Sequence, residues 1–306
     1  MKGMVFAGCS FTWGQGLYFY SDLNHIPKFE DWVYDYKLMT HALTRFKDTI
    51  RFPRLVANHF KTFDVCKATN GGSDLTSVLF LKKIFDEYEE PVNDGGHVKS
   101  SHWLSQENYY FDDIEYVIFQ TTQTYRSRYP FTYKDEQYFI YPLPELNGLQ
   151  KVSKIFNGAE DTVENGVEDV FYYWLEENNY TIDDYFKLHI KYWTDEIERT
   201  LSHLESKGIK TKILHWTNDY LESMESKPFF QNRTINLKYD DVVYKSISDL
   251  QNKFPSKFII SHDIDGFNGK KPSESVHDFH PSKFCHEIIA KNIIEEIEKE
   301  HKKPLI

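Results

Sequence analysis

The stretch that decides the fold is VFAGCSFTWGQGL, residues 5–17. An apolar run leads into Gly8, Cys9 and Ser10, and small and polar residues then follow where a strand would have continued. This pattern predicts a buried strand that ends in a turn with a serine at its tip. Ser10 has two interpretations, either as the cap of a helix that begins there or as a nucleophile exposed at the end of the strand.

Short apolar runs alternate with segments of helical periodicity along the whole chain. The predicted strands are residues 4–7, 63–67, 116–120, 211–215 and 258–261. The predicted helices are residues 52–60, 74–88, 185–207, 240–253 and 281–302, with Ser73 or Asp74 capping the second and Gly208 ending the third. Because strands and helices alternate, we expect an α/β fold with a five-stranded parallel sheet and helices on both faces.

Two regions interrupt this alternation. Residues 18–50 are aromatic and mixed in charge, and residues 125–184 are dense in Tyr, Phe, Pro and Asn. We interpret both as insertions into a single domain that spans residues 1–306, and the second is long enough to form a subdomain. Aromatic side chains suit sugars or acyl chains, so we expect the second insertion to form one wall of a substrate crevice.

Composition argues against several functions. The chain has 36 Lys and Arg against 47 Asp and Glu, a net charge of −11, so we expect no nucleic-acid partner. Its 3 cysteines match neither a zinc site nor a disulfide framework, and His97 and His102 have no regular metal spacing. The apolar run at the amino end is too short for a signal peptide or a membrane span. We expect a cytoplasmic protein with no membrane contact, metal or other cofactor.

The carboxyl end contains a candidate base. In HDFHPSKFCHEIIAKNI, residues 277–293, His280 precedes a proline and the potential capping residue Ser282 at the start of the last predicted helix. A serine becomes a good nucleophile when a base takes its proton, and a histidine oriented by a carboxylate is the common base. Asp278 lies two residues before His280. A histidine at this position is alternatively structural.

Three segments together resemble a known family. GCSFTWGQGL (8–17), ATNGGSD (68–74) and DFHPS (278–282) look like the blocks of the SGNH (GDSL-like) hydrolase superfamily, in the family's order. The form GCSFT is similar to that of divergent members frequent in phage and bacterial genomes. The resemblance implies a flavodoxin-like, three-layer α/β/α sandwich that hydrolyses esters without a metal, often acetyl or acyl esters of carbohydrates.

The resemblance also implies roles for individual residues. Ser10 would be the nucleophile and would donate its backbone N–H to the oxyanion. Gly72 would supply a second N–H, since a residue without a Cβ lets the backbone approach the substrate, with Gly71 or Ser73 as alternatives under a shifted alignment. His280 would be the general base, taking the proton of Ser10 and later giving it to the leaving alcohol.

The chain departs from the family's pattern in its oxyanion hole. Cys9 replaces the family's aspartate, and we expect its thiol to be packed rather than reactive. The third block, in VIFQTTQTYR (117–126), lacks the family's asparagine, so Thr122 or Gln123 would have to donate to the oxyanion instead. Loss of one such donor costs about 3–4 kcal/mol, or roughly 10²–10³ in rate.

The triad acid is the other departure. The commonest family spacing puts the aspartate three residues before the histidine, which here is His277, so Asp278 is displaced by one position. Asp263 and Asp265 are alternatives to it. Arg126 and Arg128, just after the third predicted strand, are candidate contacts for an anionic or sugar substrate, or alternatively solvated residues of the insertion surface. Trp13, in the first block, is a further candidate substrate contact.

The function predicted on this basis is a serine esterase that acts on a small-molecule or carbohydrate ester through an acyl-enzyme. An acyltransferase that uses the same serine is a further reading. The alternative from another class is a catalytically weakened or inactive binding or structural protein on the same fold. In that case the aromatic insertion would contact another copy of the chain or a virion partner, and the protein would be virion-associated if it is of phage origin.

Overall fold

The computed structural model describes residues 1–14, 17–20, 41–68, 73–86, 113–141, 151–156, 159–161, 168–260 and 280–302. The strands are β1 Gly3–Gly8, β2 Asp64–Ala68, β3 Ile114–Thr121, β4 Tyr129–Tyr133, β5 Glu136–Tyr141, β6 Lys151–Phe156, β7 Ala159–Asp161, β8 Lys210–His215, β9 Leu237–Tyr239 and β10 Val242–Tyr244. The helices are α1 Ser10–Trp13, α2 His41–Ile50, α3 Phe52–His59, α4 Asp74–Asp86, α5 Glu168–Glu177, α6 Ile182–Ser206, α7 Leu221–Glu225, α8 Pro228–Gln231, α9 Ile247–Lys253, α10 Pro255–Phe258 and α11 Lys283–Lys302, with 3-10 turns at Leu17–Tyr20 and Thr124–Arg126.

A parallel sheet lies at the centre of the fold. Its order is β2-β1-β3-β8, with Val5 of β1 paired to Val65 of β2 and to Val117 of β3. This order corresponds to the first four positions of a flavodoxin-like sheet. The predicted strands at 4–7, 63–67, 116–120 and 211–215 are therefore confirmed.

Helices cover both faces of this sheet. Met4 and Phe6 of β1 point to a core that includes residues of α3 and α11, such as Phe52 and Ile289. Val5 and Ala7 point to the opposite core, which is formed with α4 and α6 and includes Ile197. Alternation of the side chains along β1 thus fills two apolar layers, as a buried parallel strand requires.

The predicted fifth strand, residues 258–261, is not formed in the described part of the chain. Pro255 begins the short helix α10 instead, a position that suits its fixed φ and missing N–H. Ile259 makes only an isolated antiparallel bridge to Pro281, and Ser261 lies outside the described residues. At the free edge of β8, Thr234 forms an isolated parallel bridge with Ile213. The sheet has four strands within the described ranges.

Two helix boundaries also differ from the prediction. The helix expected from residue 240 begins at Ile247, because Asp240 and Asp241, with φ of 52° and 58°, form the turn between β9 and β10. The long helix α6 begins three residues earlier than expected, at a capping box between Thr181 and Asp184. It ends before Gly208, whose φ of 86° fits the predicted helix stop.

The predicted second insertion, residues 125–184, contains a sheet of its own. Its order is β4-β5-β6-β7, all antiparallel, and α5 packs against it. A separate core of rings and aliphatic side chains lies between them and the start of α6: Phe131, Tyr133, Tyr138, Ile140, Phe171, Trp174, Leu175 and Tyr185. In the first insertion, residues 21–40 lie outside the described residues. No helix in the described ranges is long and apolar enough to cross a membrane.

Candidate active site

The end of β1 turns directly into α1. A Cβ on Gly8 would lie 2.4 Å from Thr12 Oγ1 and 3.0 Å from Gln120 Cβ, so only glycine fits at this close approach. Helix α1 begins at Ser10, two residues later. The backbone of Ser10 therefore lies at the carboxyl end of a central parallel strand, where binding sites of such sheets occur.

Polar side chains fix α1 against the neighbouring strands. Thr12 Oγ1 donates a hydrogen bond to Gln120 Oε1 of β3, and Gln120 Nε2 donates to Cys9 Sγ at 3.2 Å. Cys66 of β2 donates to the carbonyl of Thr12 at 3.7 Å. Cys9 is 0% exposed and burial raises the pKa of its thiol, so it is a packed residue, as predicted.

Four side chains from different elements meet at this edge of the sheet. The Phe11 ring lies 3.9 Å from the Trp216 ring, which follows β8, and 5.2 Å from the His280 ring. Arg126 Cζ lies 4.4 Å from the centre of the Trp216 ring. We call Phe11, Arg126, Trp216 and His280 the strand-end cluster. In this cluster the predicted site residue His280 lies beside Phe11, which follows Ser10, and the predicted site residue Arg126 lies over Trp216.

The backbone around His280 is held on both sides. The Ile260 N–H donates to the His280 carbonyl at 2.9 Å, and the Ser282 N–H donates to the Phe258 carbonyl at 3.0 Å. Ser282 Oγ accepts the N–H of Cys285 at 3.1 Å and so caps α11, as predicted. These bonds hold His280, which is half-buried, at the start of the last helix.

A buried carboxylate ties the segment NGGSD to two other strand ends. Asp74 accepts hydrogen bonds from the Thr122 N–H at 2.8 Å, the Thr122 hydroxyl at 3.0 Å and the Tyr220 hydroxyl at 2.9 Å. Ser127 Oγ is a further, longer donor at 3.4 Å. Burial raises the pKa of Asp74 to about 6, against the lowering effect of these donors. Ser73 caps α4 by accepting the Thr76 N–H.

The same network settles what Thr122 offers to a substrate. Its N–H and its hydroxyl both donate to Asp74, so neither is directed at an oxyanion. Gln123, the other predicted donor, precedes the 3-10 turn Thr124–Arg126, and its carbonyl accepts the Arg126 N–H at 3.0 Å. The missing asparagine is thus not replaced by Thr122 in this arrangement.

Several predicted site residues lie outside the described residues: Gly71, Gly72, Asp263, Asp265, His277 and Asp278. For Ser10 and Trp13 the structure describes the backbone in α1 but not the side chain. The roles assigned to all of these residues remain predictions.

The buried histidines of the fold are core residues. Burial lowers the pKa of His189 and His215 to about 4 and that of His286 to about 3. Nδ1 of His286 accepts the Phe52 N–H at 3.2 Å, which requires the neutral ring. Within the described ranges there is no group of three or more His, Cys, Asp or Glu side chains that could hold a metal ion.

Sequence reasoning missed Trp216, Gln120 and the network role of Asp74. Trp216 directly follows the predicted strand KILH, and Gln120 lies near the end of YVIFQ. Both therefore occupy strand ends, where a parallel sheet gathers its functional groups. That position is the signal that could have found them.

The structural neighbours of this chain include three that are each 10% identical to it in sequence. They are an acetyl xylan esterase (Est2A) from the rumen bacterium Butyrivibrio proteoclasticus, with a TM-score of 0.41; a carbohydrate esterase with divergent catalytic and non-catalytic binding functions, 0.39; and a carbohydrate esterase family 2 enzyme with a carbohydrate-binding domain from Corynascus thermopiles (Myceliophthora fergusii), 0.36. The alignments cover 98%, 97% and 97% of this chain and 64%, 65% and 67% of theirs. No protein-family model and no curated protein matches the sequence.

Proposed function

We propose that this protein is a serine esterase of the SGNH type that hydrolyses an acyl or acetyl ester, with a carbohydrate ester as the expected substrate. The observation that supports it is the contact of the His280 ring with Phe11, the residue after Ser10. The two groups come from opposite ends of the chain. A shared position at the carboxyl edge of a parallel sheet is what a Ser-His pair requires.

In the proposed reaction His280 takes the proton of Ser10 Oγ while that oxygen attacks the ester carbonyl carbon. The N–H groups of Ser10 and Gly72 stabilise the resulting oxyanion. When the tetrahedral intermediate collapses, His280 gives the proton to the leaving alcohol. Water, activated by the same imidazole, then hydrolyses the acyl-Ser10 ester. Asp278 is proposed to orient His280.

A second candidate function is a weakened or inactive binding protein on the same fold. The observation that favours it is the engagement of both Thr122 donors by Asp74, which leaves the oxyanion hole without that contribution. One missing donor lowers the rate by roughly 10²–10³. The esterase proposal therefore expects a slow enzyme, whereas the second candidate expects no turnover and a partner that contacts the insertion.

The test measures hydrolysis of p-nitrophenyl acetate and covalent labelling by a fluorophosphonate probe. We expect Ser10→Ala to abolish labelling and to lower turnover by at least about 10³, and His280→Ala to lower turnover by at least about 10². Ser202→Ala and His203→Ala, at exposed positions of α6, are the matched controls and should keep both signals. Wild-type protein that neither labels nor turns over contradicts the esterase and favours the second candidate. Added alcohol as an acceptor separates acyl transfer from hydrolysis.

A further inference from the structure

The cation of the strand-end cluster has no ion-pair partner among the described residues. Five other buried or partly buried cations of this acidic chain are paired with carboxylates: Lys47, Arg51, Lys212, Lys227 and Arg233. Nη1 of Arg126 is buried and has no hydrogen-bond partner in the described part of the chain. A buried N–H without an acceptor is costly, so the unpaired guanidinium is a donor that a ligand with an acceptor oxygen would satisfy.

Arg126 is held in place before any ligand binds. Asp219 accepts the N–H of Thr124 at 2.9 Å and its hydroxyl at 3.2 Å, and His189 Nε2 donates to the Thr124 carbonyl at 3.1 Å. These bonds fix the 3-10 turn that carries Arg126. Its guanidinium lies over Trp216, which leaves the edge of the fork, where the N–H donors are, for hydrogen bonding.

Two ring contacts link Trp216, the residue under the guanidinium, to His280. Trp216 contacts Phe11, and Phe11 contacts His280. On the other side of Ser10, the positive charge of Arg126 acts on Cys9 and lowers the pKa of its thiol against the larger effect of burial. A ligand that pairs with Arg126 would therefore extend across the strand-end cluster toward Ser10 and His280.

We propose that Arg126 makes this site selective for esters that carry a carboxylate close to the ester bond. A guanidinium binds a carboxylate through two parallel hydrogen bonds, and the net charge of −11 offers anions no other general attraction. The carboxylate could belong to the acyl group, as in a dicarboxylic half-ester, or to the alcohol, as in an acetylated uronic acid. This inference rests on the proposed esterase function.

The test compares matched pairs of esters that differ in one carboxylate. For the acyl side the pair is p-nitrophenyl hexanoate and p-nitrophenyl hemiadipate. For the alcohol side it is the acetylated methyl glycosides of xylose and glucuronic acid, followed by acetate release. In at least one pair we expect wild-type kcat/KM to favour the anionic ester about 10-fold or more, and Arg126→Met to lower that ratio by about 10- to 100-fold.

The controls separate a change in substrate selectivity from a change in protein stability. A ratio of two substrates measured on one protein does not depend on how much of it is folded, and Arg126→Lys should give an intermediate ratio. Arg199→Met is the matched control, because Arg199 is an exposed arginine of α6 that pairs with Glu196, and its ratios should equal those of wild type.

The outcomes separate the two proposals. An altered ratio in only one pair identifies which side of the ester carries the carboxylate. If wild type cleaves the esters through Ser10 but both ratios are near one, or Arg126→Met leaves them unchanged, the selectivity is wrong and the esterase stands. If no ester of either kind is turned over, the esterase proposal fails and this inference fails with it.

Discussion

Aromatic rings are concentrated both in the strand-end cluster and in the core of the second insertion, but their neighbours differ. In the cluster, Trp216 contacts a guanidinium and Phe11 contacts an imidazole. In the insertion, Phe171 contacts the rings of Phe131, Trp174 and Tyr185 at 5.9, 5.9 and 4.9 Å. The rings of the cluster position polar groups, whereas those of the insertion mainly fill space.

The surrounding polar contacts sharpen this difference. Gln120 and Asp74 each bridge two or more elements near the strand ends, and their hydrogen bonds depend on direction. Packing between rings depends mostly on volume and buried area. Substitutions in the insertion should therefore change the free energy of unfolding, while those at the strand ends should also change turnover per folded molecule.

The largest expected effect on stability is in the insertion. Phe171→Ala removes a ring that is 1% exposed and should lower the free energy of unfolding by about 4 kcal/mol, measured by urea unfolding. Tyr172→Ala, a neighbour that is 45% exposed, is the control and should cost less than about 1 kcal/mol. If Phe171→Ala lowers kcat/KM per folded molecule by more than about tenfold, the insertion core does more than stabilise the fold, and the distinction between the two regions is wrong.

The buried carboxylate at the strand ends should make stability depend on pH. The folded pKa of Asp74, about 6, exceeds the unfolded value of 3.8, so its contribution is fully present below about pH 4 and is lost as the pH rises through 6. The loss amounts to about 3 kcal/mol. Asp74→Asn should remove this dependence, so that wild type loses about 2 kcal/mol of this relative to the variant between pH 4 and 7.

Urea unfolding at four pH values from 4 to 7 measures this difference. Asp183→Asn makes the same change of carboxylate to amide at an exposed position of α6, and its difference from wild type should stay within about 0.5 kcal/mol. Parallel curves for wild type and Asp74→Asn would show that the Asp74 carboxylate does not retain its proton in the folded state.

The close approach at Gly8 predicts a smaller loss in the free energy of unfolding. Gly8→Ala places a Cβ against Thr12 and Gln120 and should cost about 2 kcal/mol, together with a loss of turnover because α1 carries Ser10. Gly208→Ala is the matched control, where φ is positive but the Cβ meets nothing, and about 1 kcal/mol is expected with no loss of turnover. Equal turnover in both variants would contradict the positioning role of the Gly8 turn.

The smallest effect on stability is expected at the start of α6. This helix contacts both the insertion core, through Tyr185, and the turn that carries Arg126, through His189. Thr181→Ala removes the hydroxyl of the capping box and should lower the free energy of unfolding by about 1 kcal/mol. Ser202→Ala, at an exposed position near the carboxyl end of the same helix, should leave stability unchanged or raise it by up to about 0.5 kcal/mol. Equal losses in the two variants would mean that the capping box is not formed in solution.

The sequence predicts the parallel sheet better than the insertion. Buried parallel strands are continuous apolar runs, which is why β1, β2, β3 and β8 could be located. The segment after Pro255 is a similar apolar run, but proline at a first helical position outweighs two isoleucines. The turns at Lys134–Asp135 and Asp240–Asp241 have positive φ without glycine, so the hairpins they form have no strong sequence signal.

The candidate site could be predicted only as separate residues. Ser10, Arg126 and His280 each follow from a local motif. Alternation predicts only that their strands form a parallel sheet, and the order of the strands in that sheet is implied by the resemblance alone. The partners of Thr122 could not be predicted, because they depend on a side chain 48 positions away in the sequence. Long-range hydrogen bonds of this kind have no periodic pattern.

The backbone bonds around His280 have an evolutionary consequence. A backbone hydrogen bond joins Ile260 to His280, although 19 residues separate them in the chain. The two ends of the connecting segment are therefore held next to each other. Insertions or deletions between the two need not move the imidazole. The proposed base and the residue that orients it can therefore diverge independently, and related chains with connections of other lengths can keep this histidine while changing its acidic partner.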